Sequence, residues 1–369
     1  MWPANYWAHW GVFAVIALVF LLLLVLAFIW YERRVIALFG IRLGPNRAGP
    51  FGLLQPIADA IKTILKEDIV PAKADKLVHL LGPLVAFVPV VMVLAVLPLH
   101  PNQGLVPWLD IGILYVVAIS SISALGVFMA GWSSNNKYSL FGAMRMVAQV
   151  VSYEIPLVLS VLGVVLLTGS LSLNEIVAAQ GATKGGVPFI LLQPLGFLIF
   201  FIAALAEINR CPFDLLEADS ELTCGFHTEY SGAKFALFYL AEYSEALVMS
   251  ALVATLFLGG WTGPGSLYVG ALWFIIKVFI VFFVIVWIRG TLPRLRVDQV
   301  MGFSWKGLMP LALINLLVTG IEVAVWQNPP LWIIAVNFAI AGVLILGWSK
   351  FFKLGGGRVE VREIRNRDS

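Results

Sequence analysis

The chain has few charged residues and very little cysteine or histidine. Only 12% of its 369 residues are charged, about half the share of a typical soluble domain, whereas 60% are apolar. So few charges cannot cover a water-facing surface when the apolar residues far exceed a plausible core. The composition therefore disfavours a soluble enzyme, a nucleic-acid-binding protein and a disordered scaffold, and it indicates an integral membrane protein.

The scarcity of cysteine and histidine argues against a redox centre in this chain. Its two cysteines, Cys211 and Cys224, are too few for an iron–sulfur cluster and too far apart for a Cys-x-x-Cys pair. None of the four histidines lies deep inside an apolar stretch, where a haem in a helix bundle would need its ligands. We expect the chain to bind no metal and no cofactor of its own.

Apolar runs of about 20 residues predict an all-α polytopic membrane protein with about nine transmembrane helices. The runs cover residues 11–31, 79–98, 112–131, 147–168, 188–206, 234–258, 270–288, 308–327 and 331–349. We expect one transmembrane domain over residues 1–350. Its long cytoplasmic loops are expected at 32–78, 207–233 and 289–307, and a polar cytoplasmic tail at 351–369.

The basic residues predict the orientation. The segments after spans one, three, five and seven, together with the tail, hold 22 of the 24 Lys and Arg residues. The positive-inside rule then places the N-terminus outside and the C-terminus in the cytoplasm. Lys277 and Glu322 lie at matching depth near the outer ends of two successive spans, and we expect them to pair.

A segment too polar to span the membrane lies in the first cytoplasmic loop. Over residues 56–66, Ile57, Ile61, Ile64 and Leu65 fall on one helical face, and the segment starts with proline, which suits a first helical turn. Such an amphipathic helix lies in the membrane interface or covers a cavity. A simple surface anchor explains the periodicity equally well.

Acidic residues concentrate between spans five and six. Residues 207–245 contain eight of the 21 carboxylates and two basic residues. The eight are Glu207, Asp214, Glu217, Asp219, Glu221, Glu229, Glu242 and Glu245. Crowded, partly desolvated carboxylates retain protons more readily than isolated ones and titrate as a coupled set. A solvated acidic loop is the alternative, and it is weakened because the carboxylates continue into the membrane.

Three carboxylates besides Glu322 fall inside predicted spans. Glu154 lies about seven residues, or roughly 10 Å, into span four, and Glu242 and Glu245 share a face of span six. An ionised carboxylate there costs several kcal/mol unless it is paired, protonated or hydrated, which favours a functional role over structural pairing. Pro156 is expected to interrupt the backbone hydrogen bonds beside Glu154 and to make room for water.

These observations leave two functions open. One is a proton-conducting element of an energy-coupling machine, and the other is a secondary transporter for a cationic or protonated solute. A stand-alone transporter would predict broken helices in two matching halves and ligands at the midplane, and the sequence has neither.

An ordered set of short motifs is more specific for one protein family than the composition or the positions of the charges. It comprises Glu32-Arg33-Arg34, Gly44-Pro45-Asn46-Arg47, Gly52-Leu53-Leu54-Gln55-Pro56 with Ala58-Asp59, Ser152-Tyr153-Glu154, the run 207–214, Glu221-Leu222, Glu229-Tyr230, Ala241-Glu242-Tyr243 and the run 292–299. With these motifs the chain resembles, from about residue 30 to 312, the H-subunit family of proton-translocating NADH:quinone oxidoreductase, respiratory complex I. The related subunit of a membrane-bound hydrogenase or ferredoxin-linked complex is the alternative.

The resemblance implies a helical subunit of the bacterial inner membrane that is not catalytic alone. It implies quinone as the substrate, with FMN and iron–sulfur clusters held by partner subunits and the quinone headgroup ligands on a soluble neighbour. Other implied partners are the iron–sulfur subunits, small membrane subunits, antiporter-like subunits and membrane lipid, without nucleic acid.

The resemblance also assigns residues. Those that would border the quinone chamber are Glu32, Arg33, Arg42, Asp59, Arg294 and Arg296. Those that would form the acidic proton path are Glu154, Glu207, Asp214, Glu217, Asp219, Glu221, Glu229 and Glu242. Glu245 departs from the family pattern, since an uncharged residue is expected there, and only its depth suggests a place in the path.

Overall fold

The structure is a computed structural model that describes residues 5–99, 109–182, 186–215, 225–263, 270–326, 330 and 332–351. Within these ranges the regular structure is helical and contains no β-strand. Glu217, Asp219, Glu221 and the tail from residue 352 lie outside the described residues. The prediction of an all-α fold is therefore confirmed.

The helices are numbered in chain order. They are α1 Asn5–Phe39, α2 Gln55–Ile64, α3 Lys76–Val96, α4 Gly112–Ser133, α5 Lys137–Thr168, α6 Leu173–Ala182, α7 Phe189–Leu192, α8 Pro194–Glu207, α9 Gly232–Phe257, α10 Gly270–Thr291, α11 Val297–Gly302, α12 Met309–Val325 and α13 Ile333–Phe351. A π-helical segment, Phe303–Leu308, joins α11 to α12.

Each of the nine apolar runs forms helical structure. Six helices are long and apolar enough to cross a membrane, namely α3, α4, α5, α9, α10 and the continuous segment Val297–Val325. The helices α8 and α13 are shorter apolar helices, and α1 covers the first run. The chain is therefore a multi-pass membrane protein.

Helices α5 and α6 differ from the sequence prediction. Helix α5 begins at Lys137 rather than near residue 147, because Asn136 caps it by accepting the Tyr138 backbone N–H at 3.0 Å. Glu154 consequently lies near the middle of a long helix and not close to its start. The helix α6 has no counterpart in the prediction, because its ten residues are too few for a spanning run.

Small residues bring α3 and α4 into close contact. A side chain at Gly126 would overlap the backbone of Ala86, and one at Gly82 would press on Ala130. Lipid tails are as apolar as leucine, so close backbone approach at small residues drives such helix pairing in a membrane. This pairing forms one wall of the polar interior described below.

Helix α9 lies at the centre of the protein. In its most apolar window 83% of the residues are buried, against 50% or less in the other five long helices. Glu242 and Glu245 on this helix are partly buried. Carboxylates in that position need polar partners or protons.

Pro156 interrupts the backbone hydrogen bonds of α5, and a side chain from a neighbouring segment replaces the lost donor. Since proline lacks an N–H, the carbonyl of Ser152 four residues earlier loses its helical donor. Ser304 Oγ, in the π-helical segment, donates to that carbonyl at 2.6 Å. A serine hydroxyl of a neighbouring segment therefore supplies the donor that the helix lacks at this carbonyl.

Candidate functional site

Glu32 and Arg33 are neighbours on α1 but contact different parts of the protein. Glu32 is buried, with 2% of its side chain exposed, and its Oε1 accepts hydrogen bonds from Arg210 Nη1 at 2.7 Å and from Arg289 Nη1. Two guanidinium groups thus hold one buried carboxylate. The charge of Glu32 is compensated by residues that lie 178 and 257 positions away in the sequence.

Arg210 connects Glu32 to the central helix. Its Nε lies 2.9 Å from Glu242 Oε1, and its guanidinium carbon lies 4.2 Å from the centre of the Tyr243 ring. Burial lowers the pKa of Arg210, but the charges of Glu32 and Glu242 outweigh burial and raise its pKa overall. Arg210 therefore stays charged and links a carboxylate on α1 to one on α9.

Arg33 pairs with Asp59 on the amphipathic helix. Its Nη1 donates to Asp59 Oδ2, and Gln55 Nε2 donates to Asp59 Oδ1 at 3.1 Å. Arg33 and Asp59 line a cavity of about 390 Å³ between α1, α2 and α9. The predicted helix at 56–66 is confirmed as α2, and it covers this cavity.

The loop before α2 is fixed to α1. Trp30 Nε1 and Arg34 Nη1 both donate to the carbonyl of Phe51 at 3.1 Å, and the Arg34 guanidinium lies over the rings of Trp30 and Phe51. Gly52 has a φ of +77°, and a side chain there would overlap the carbonyl of Pro45. These contacts hold the start of α2 in place.

The other end of α2 is tied to α9. Ser231 Oγ donates to the Glu67 carbonyl and accepts the Ile69 N–H, both at 2.9 Å, and Lys234 Nζ lies 2.9 Å from Asp68 Oδ2. The cavity beneath α2 is thus bounded by elements that are anchored on both sides.

Four carboxylates lie in a series behind Arg210. Glu245 is close enough to Glu242 and to Glu207 for their charges to interact, and Glu207 is likewise close to Glu154. Glu207 is 4% exposed and ends α8. The fourth, Glu154, accepts a hydrogen bond from Ser121 Oγ on α4. By these neighbouring charges, the order along the series is Glu242, Glu245, Glu207 and Glu154.

Gln149 fixes the segment that carries Glu207. It is fully buried on α5, and its Nε2 donates to the carbonyls of Ala206 at 2.7 Å and Phe213 at 2.9 Å. One amide thus holds both ends of the short segment that contains Arg210. This position explains why Arg210 reaches two carboxylates at once.

The remaining predicted residues are less closely grouped. Asp214 accepts from Arg294 Nη2 at 2.8 Å, so a predicted path residue pairs with a predicted chamber residue. Glu229 accepts from Asn136 Nδ2 at 2.7 Å. Arg42 and Arg296 are exposed, and neither lines the cavity beside Arg33 or the cavity beside Glu242 and Glu245.

The expected pair of Lys277 and Glu322 does not form. Lys277 Nζ donates to the carbonyls of Gly260 at 2.9 Å and Thr262 at 2.6 Å, in the turn after α9. Glu322 accepts from Asn337 Nδ2 at 3.3 Å. The prediction was wrong because matching depth in the membrane does not specify the direction in which a side chain points from its helix. The turn after α9 offers Lys277 backbone carbonyls as nearer acceptors.

Sequence reasoning did not assign Arg210, Arg289 or Gln149 to the site. The two arginines were counted as markers of the cytoplasmic side, and no local pattern shows that they converge on Glu32. Within the described residues no three His, Cys, Asp or Glu side chains form a group that could hold a metal ion.

Comparisons with known proteins show the family of the chain. The family model described as NADH dehydrogenase matches residues 12–320. The chain is 59% identical over 360 residues to the H subunit of the NADH-quinone oxidoreductase of Dehalococcoides mccartyi (strain CBDB1), covering 97% of this chain and 100% of that protein. It is 51% identical over 328 residues to the corresponding protein of Brevibacillus brevis, covering 86% and 96%.

A similar match is found with the corresponding protein of Geobacillus kaustophilus, which is 52% identical over 308 residues and covers 82% of this chain and 91% of that protein. These proteins are named as one part of a multi-subunit oxidoreductase, so the chain is not catalytic alone. The resemblance inferred from the motifs is confirmed, and the chain belongs to the NADH dehydrogenase family, among the membrane-embedded H subunits of NADH-quinone oxidoreductases.

Proposed function

We propose that this chain forms part of a quinone chamber and the start of an acidic proton path into the membrane arm of the complex. One observation carries the proposal: Arg210 contacts Glu32, beside the α1–α2 cavity, and Glu242, at the start of the carboxylate series. The two predicted sets of residues are therefore in direct electrostatic contact.

The cavity of about 390 Å³ suits the chamber. Its volume lies in the range of about 300–1,000 Å³ that is common for small-molecule sites. Val25, Leu26 and Ile29 of α1 and Leu240 of α9 supply an apolar wall for an isoprenoid-bearing molecule, and the Arg33–Asp59 pair supplies a polar end. A soluble neighbouring subunit would bring the headgroup ligands.

Exposed basic residues suit the docking of that neighbour. Arg42 and Arg296 are exposed, and Arg294 is partly exposed beside Asp214. We place these residues at the chamber's cytoplasmic rim, where the redox subunits with FMN and iron–sulfur clusters would dock. This assignment requires the C-terminus in the cytoplasm and the N-terminus outside, as the distribution of basic residues predicts.

A second cavity, of about 60 Å³, lies behind the first and is lined by Glu242, Glu245 and Asp214. Phe235 and Tyr239 line both cavities, so one layer of side chains separates them. Tyr239 and Tyr243 hydroxyls are 3.2 Å apart, and Tyr243 lies against Arg210. This layer is the second contact between the chamber and the path.

Coupling follows from charge. Reduction of a quinone takes up two electrons and two protons, and a proton withdrawn from groups that border the chamber would change the field at Arg33, Asp59 and the adjacent Glu32. A changed field at Glu32 alters the strength of its interaction with Arg210. The interaction of Arg210 with Glu242 changes as a result. The protonation of the carboxylate series then shifts and biases the antiporter-like subunits beyond it. The loop residues Glu217, Asp219 and Glu221, with Glu229, would extend this series toward the cytoplasm.

A subunit of a membrane-bound hydrogenase or ferredoxin-linked complex is the alternative function. Such a complex needs no quinone chamber, whereas the relatives are named quinone oxidoreductases and α2 covers a ligand-sized cavity. The quinone version is therefore favoured.

The chamber is tested by filling it in the assembled complex. Ala60 lines the cavity from α2, whereas Ala58 on the same helix is exposed and does not line it. Ala60→Phe should lower quinone reduction about 10-fold or more, because a displaced substrate loses its reactive geometry. Electron transfer from NADH to a soluble acceptor should stay unchanged, and Ala58→Phe is the matched control. Equal rates of quinone reduction in Ala60→Phe and Ala58→Phe would overturn the proposed quinone chamber.

Arg33→Ala is a second test at the polar end of the cavity. We expect it to impair quinone reduction more than electron transfer from NADH to the soluble acceptor. An equal loss of both activities would indicate failed assembly instead.

A further inference from the structure

We propose that Glu245 is a proton relay between Glu242 and Glu207, acting with water in the cavity of about 60 Å³ that Glu242 and Glu245 line. This inference rests on the proposed function, since it names a step in the acidic path. The family motifs assign no role to Glu245, and its depth alone suggested a place in the path without a step for it.

The helical spacing places Glu245 correctly. Glu242 and Glu245 are three residues apart on α9, so their side chains lie on one face, and both reach the cavity. The cavity volume of about 60 Å³ exceeds the roughly 10–15 Å³ that one water molecule needs. Glu245 also interacts with Glu207, which ends α8 on the far side of the series.

An independent feature indicates that the cavity holds water. Asn209 lines the same cavity and is 7% exposed. Its Nδ2 donates to the Glu207 carbonyl at 2.9 Å, which fixes the amide, and its Oδ1 has no hydrogen-bond partner among the described residues. A buried acceptor without a protein donor is normally satisfied by ordered water. Water bound there lies beside Glu207 and in reach of the cavity carboxylates.

Charge explains why a relay is needed at this point. Arg210 lies 2.9 Å from Glu242, so that carboxylate has a positively charged neighbour. The charged groups that act on Glu245 are Glu207 and Glu242, both acidic. Three neighbouring carboxylates cannot all be ionised in a low-dielectric interior without a large cost, so the set retains a proton. Glu245, between the other two, is the position from which that proton can move either way.

The transfer is balanced as follows. The O–H bond of a protonated Glu242 breaks as a cavity water takes its proton, and that water gives a different proton to the Glu245 carboxylate. A second water, beside Asn209, then takes the new proton from Glu245 and gives one of its own to the Glu207 carboxylate, whose Oε2 is buried and has no hydrogen-bond partner among the described residues. Glu245 ends as it began, and one proton has moved from α9 to α8. The steps run in reverse equally well.

Other polar groups face the same cavity and would influence the transfer. Asp214 and His227 from the loops, Ser123 from α4 and Tyr239 from α9 all line it. Of these, the Asp214 carboxylate is already paired with Arg294 at 2.8 Å. The relay therefore uses the two glutamates of α9 and the water between them.

The test compares three variants in the assembled complex in sealed membrane vesicles. Glu245→Gln keeps the size of the side chain but cannot carry a proton, Glu245→Asp restores the acid, and Glu175→Gln makes the same change at an exposed carboxylate. The measurements are protons pumped per NADH oxidised and quinone reduction in the presence of an uncoupler. Native gels check assembly.

We expect Glu245→Gln to lower pumping about 10-fold, which is less than the roughly 100-fold expected for a sole positioned acid, because cavity water offers a bypass. Glu245→Asp should recover pumping, and Glu175→Gln should match the wild type. Normal pumping in Glu245→Gln would overturn the relay, as would equal losses in the Gln and Asp variants. If Glu154→Gln and Glu242→Gln block pumping while Glu245→Gln does not, the acidic path is supported and the relay at Glu245 is overturned.

If the Glu245→Gln complex does not assemble, a second measurement still tests the relay. Infrared difference spectra during turnover detect the C=O band of a protonated carboxyl group, and Glu245→Asp should shift that band. An unshifted band in an active Glu245→Asp complex would show that Glu245 carries no proton.

Discussion

Arg210 and Glu32 form an ion pair of 2.7 Å in which 4% and 2% of the two side chains are exposed. Both groups have left water, so their attraction must be supported by further partners to offset the lost hydration. Arg289 supports Glu32, and Glu242 and Tyr243 support Arg210. The pair therefore belongs to a chain of charges that spans from α1 to α9.

Removing Arg210 should destabilise the protein strongly. Arg210→Gln leaves Glu242 without its guanidinium partner and Glu32 with one instead of two, and we expect a loss of about 3–5 kcal/mol, the usual cost of breaking a buried pair. Urea titration of the detergent-solubilised complex, following release of this chain, measures the change.

Arg294→Gln is the matched control for that prediction. Its pair with Asp214 has 39% of the arginine side chain exposed, so its loss should cost about 1 kcal/mol or less. Similar urea midpoints for the two variants would contradict a buried network at Arg210.

The sequence predicted the fold and the composition of the site better than the contacts within the site. The nine apolar runs became helical because hydrophobic length alone decides what spans a bilayer. The convergence of Arg210 and Arg289 on Glu32 could not be predicted, because those residues are far apart in the sequence and belong to three separate segments. Lys277 shows the same limit, since its acceptors are backbone carbonyls, which no residue pattern marks.

Glu154 and Glu242 should be required for proton pumping. Glu154→Gln or Glu242→Gln preserves side-chain volume and removes the titratable group, so the carboxylate series can no longer pass a proton. We expect lower proton pumping per NADH in the assembled complex, measured by a pH-sensitive dye in sealed vesicles. Normal pumping with normal quinone reductase rates in both variants would contradict the acidic path, and Glu175→Gln, at an exposed site, is the control.

The reactivity of Cys211 should depend on its charged neighbours. Burial raises the pKa of the Cys211 thiol, Asp214 raises it further, and Arg294 and Arg289 lower it. A raised pKa leaves less thiolate at any given pH, so alkylation should be slower than for a free cysteine and should accelerate only at higher pH.

Two substitutions should shift that pH profile in opposite directions. Asp214→Asn removes a negative charge, lowers the thiol pKa and speeds alkylation at fixed pH, whereas Arg294→Gln slows it. Mass spectrometry of the peptide that contains Cys211, after timed alkylation across a pH series, measures both rates. Unchanged profiles would show that the loop beside α8 does not hold these groups together.

Ser304 and Pro156 should be energetically coupled. The Ser152 carbonyl, left without a helical donor by Pro156, accepts from Ser304 Oγ at 2.6 Å in a buried position. Ser304→Ala should therefore cost about 1–3 kcal/mol, the penalty for an unsatisfied buried acceptor. In a Pro156→Ala background the backbone N–H at residue 156 can return to the Ser152 carbonyl, so Ser304→Ala should cost much less there.

A double-mutant cycle separates this coupling from general damage. Urea titration of the four complexes gives the interaction free energy between the two positions, which we expect to be about 1 kcal/mol or more. Ser170, a partly buried serine outside α5, serves as the control, and Ser170→Ala should cost the same with and without Pro156. If Ser304→Ala is equally costly in both backgrounds, the hydroxyl does not replace the missing helical donor. The π-helical segment would then be held against α5 by other contacts, such as the 3.2 Å bond from Trp305 Nε1 to Ser152 Oγ.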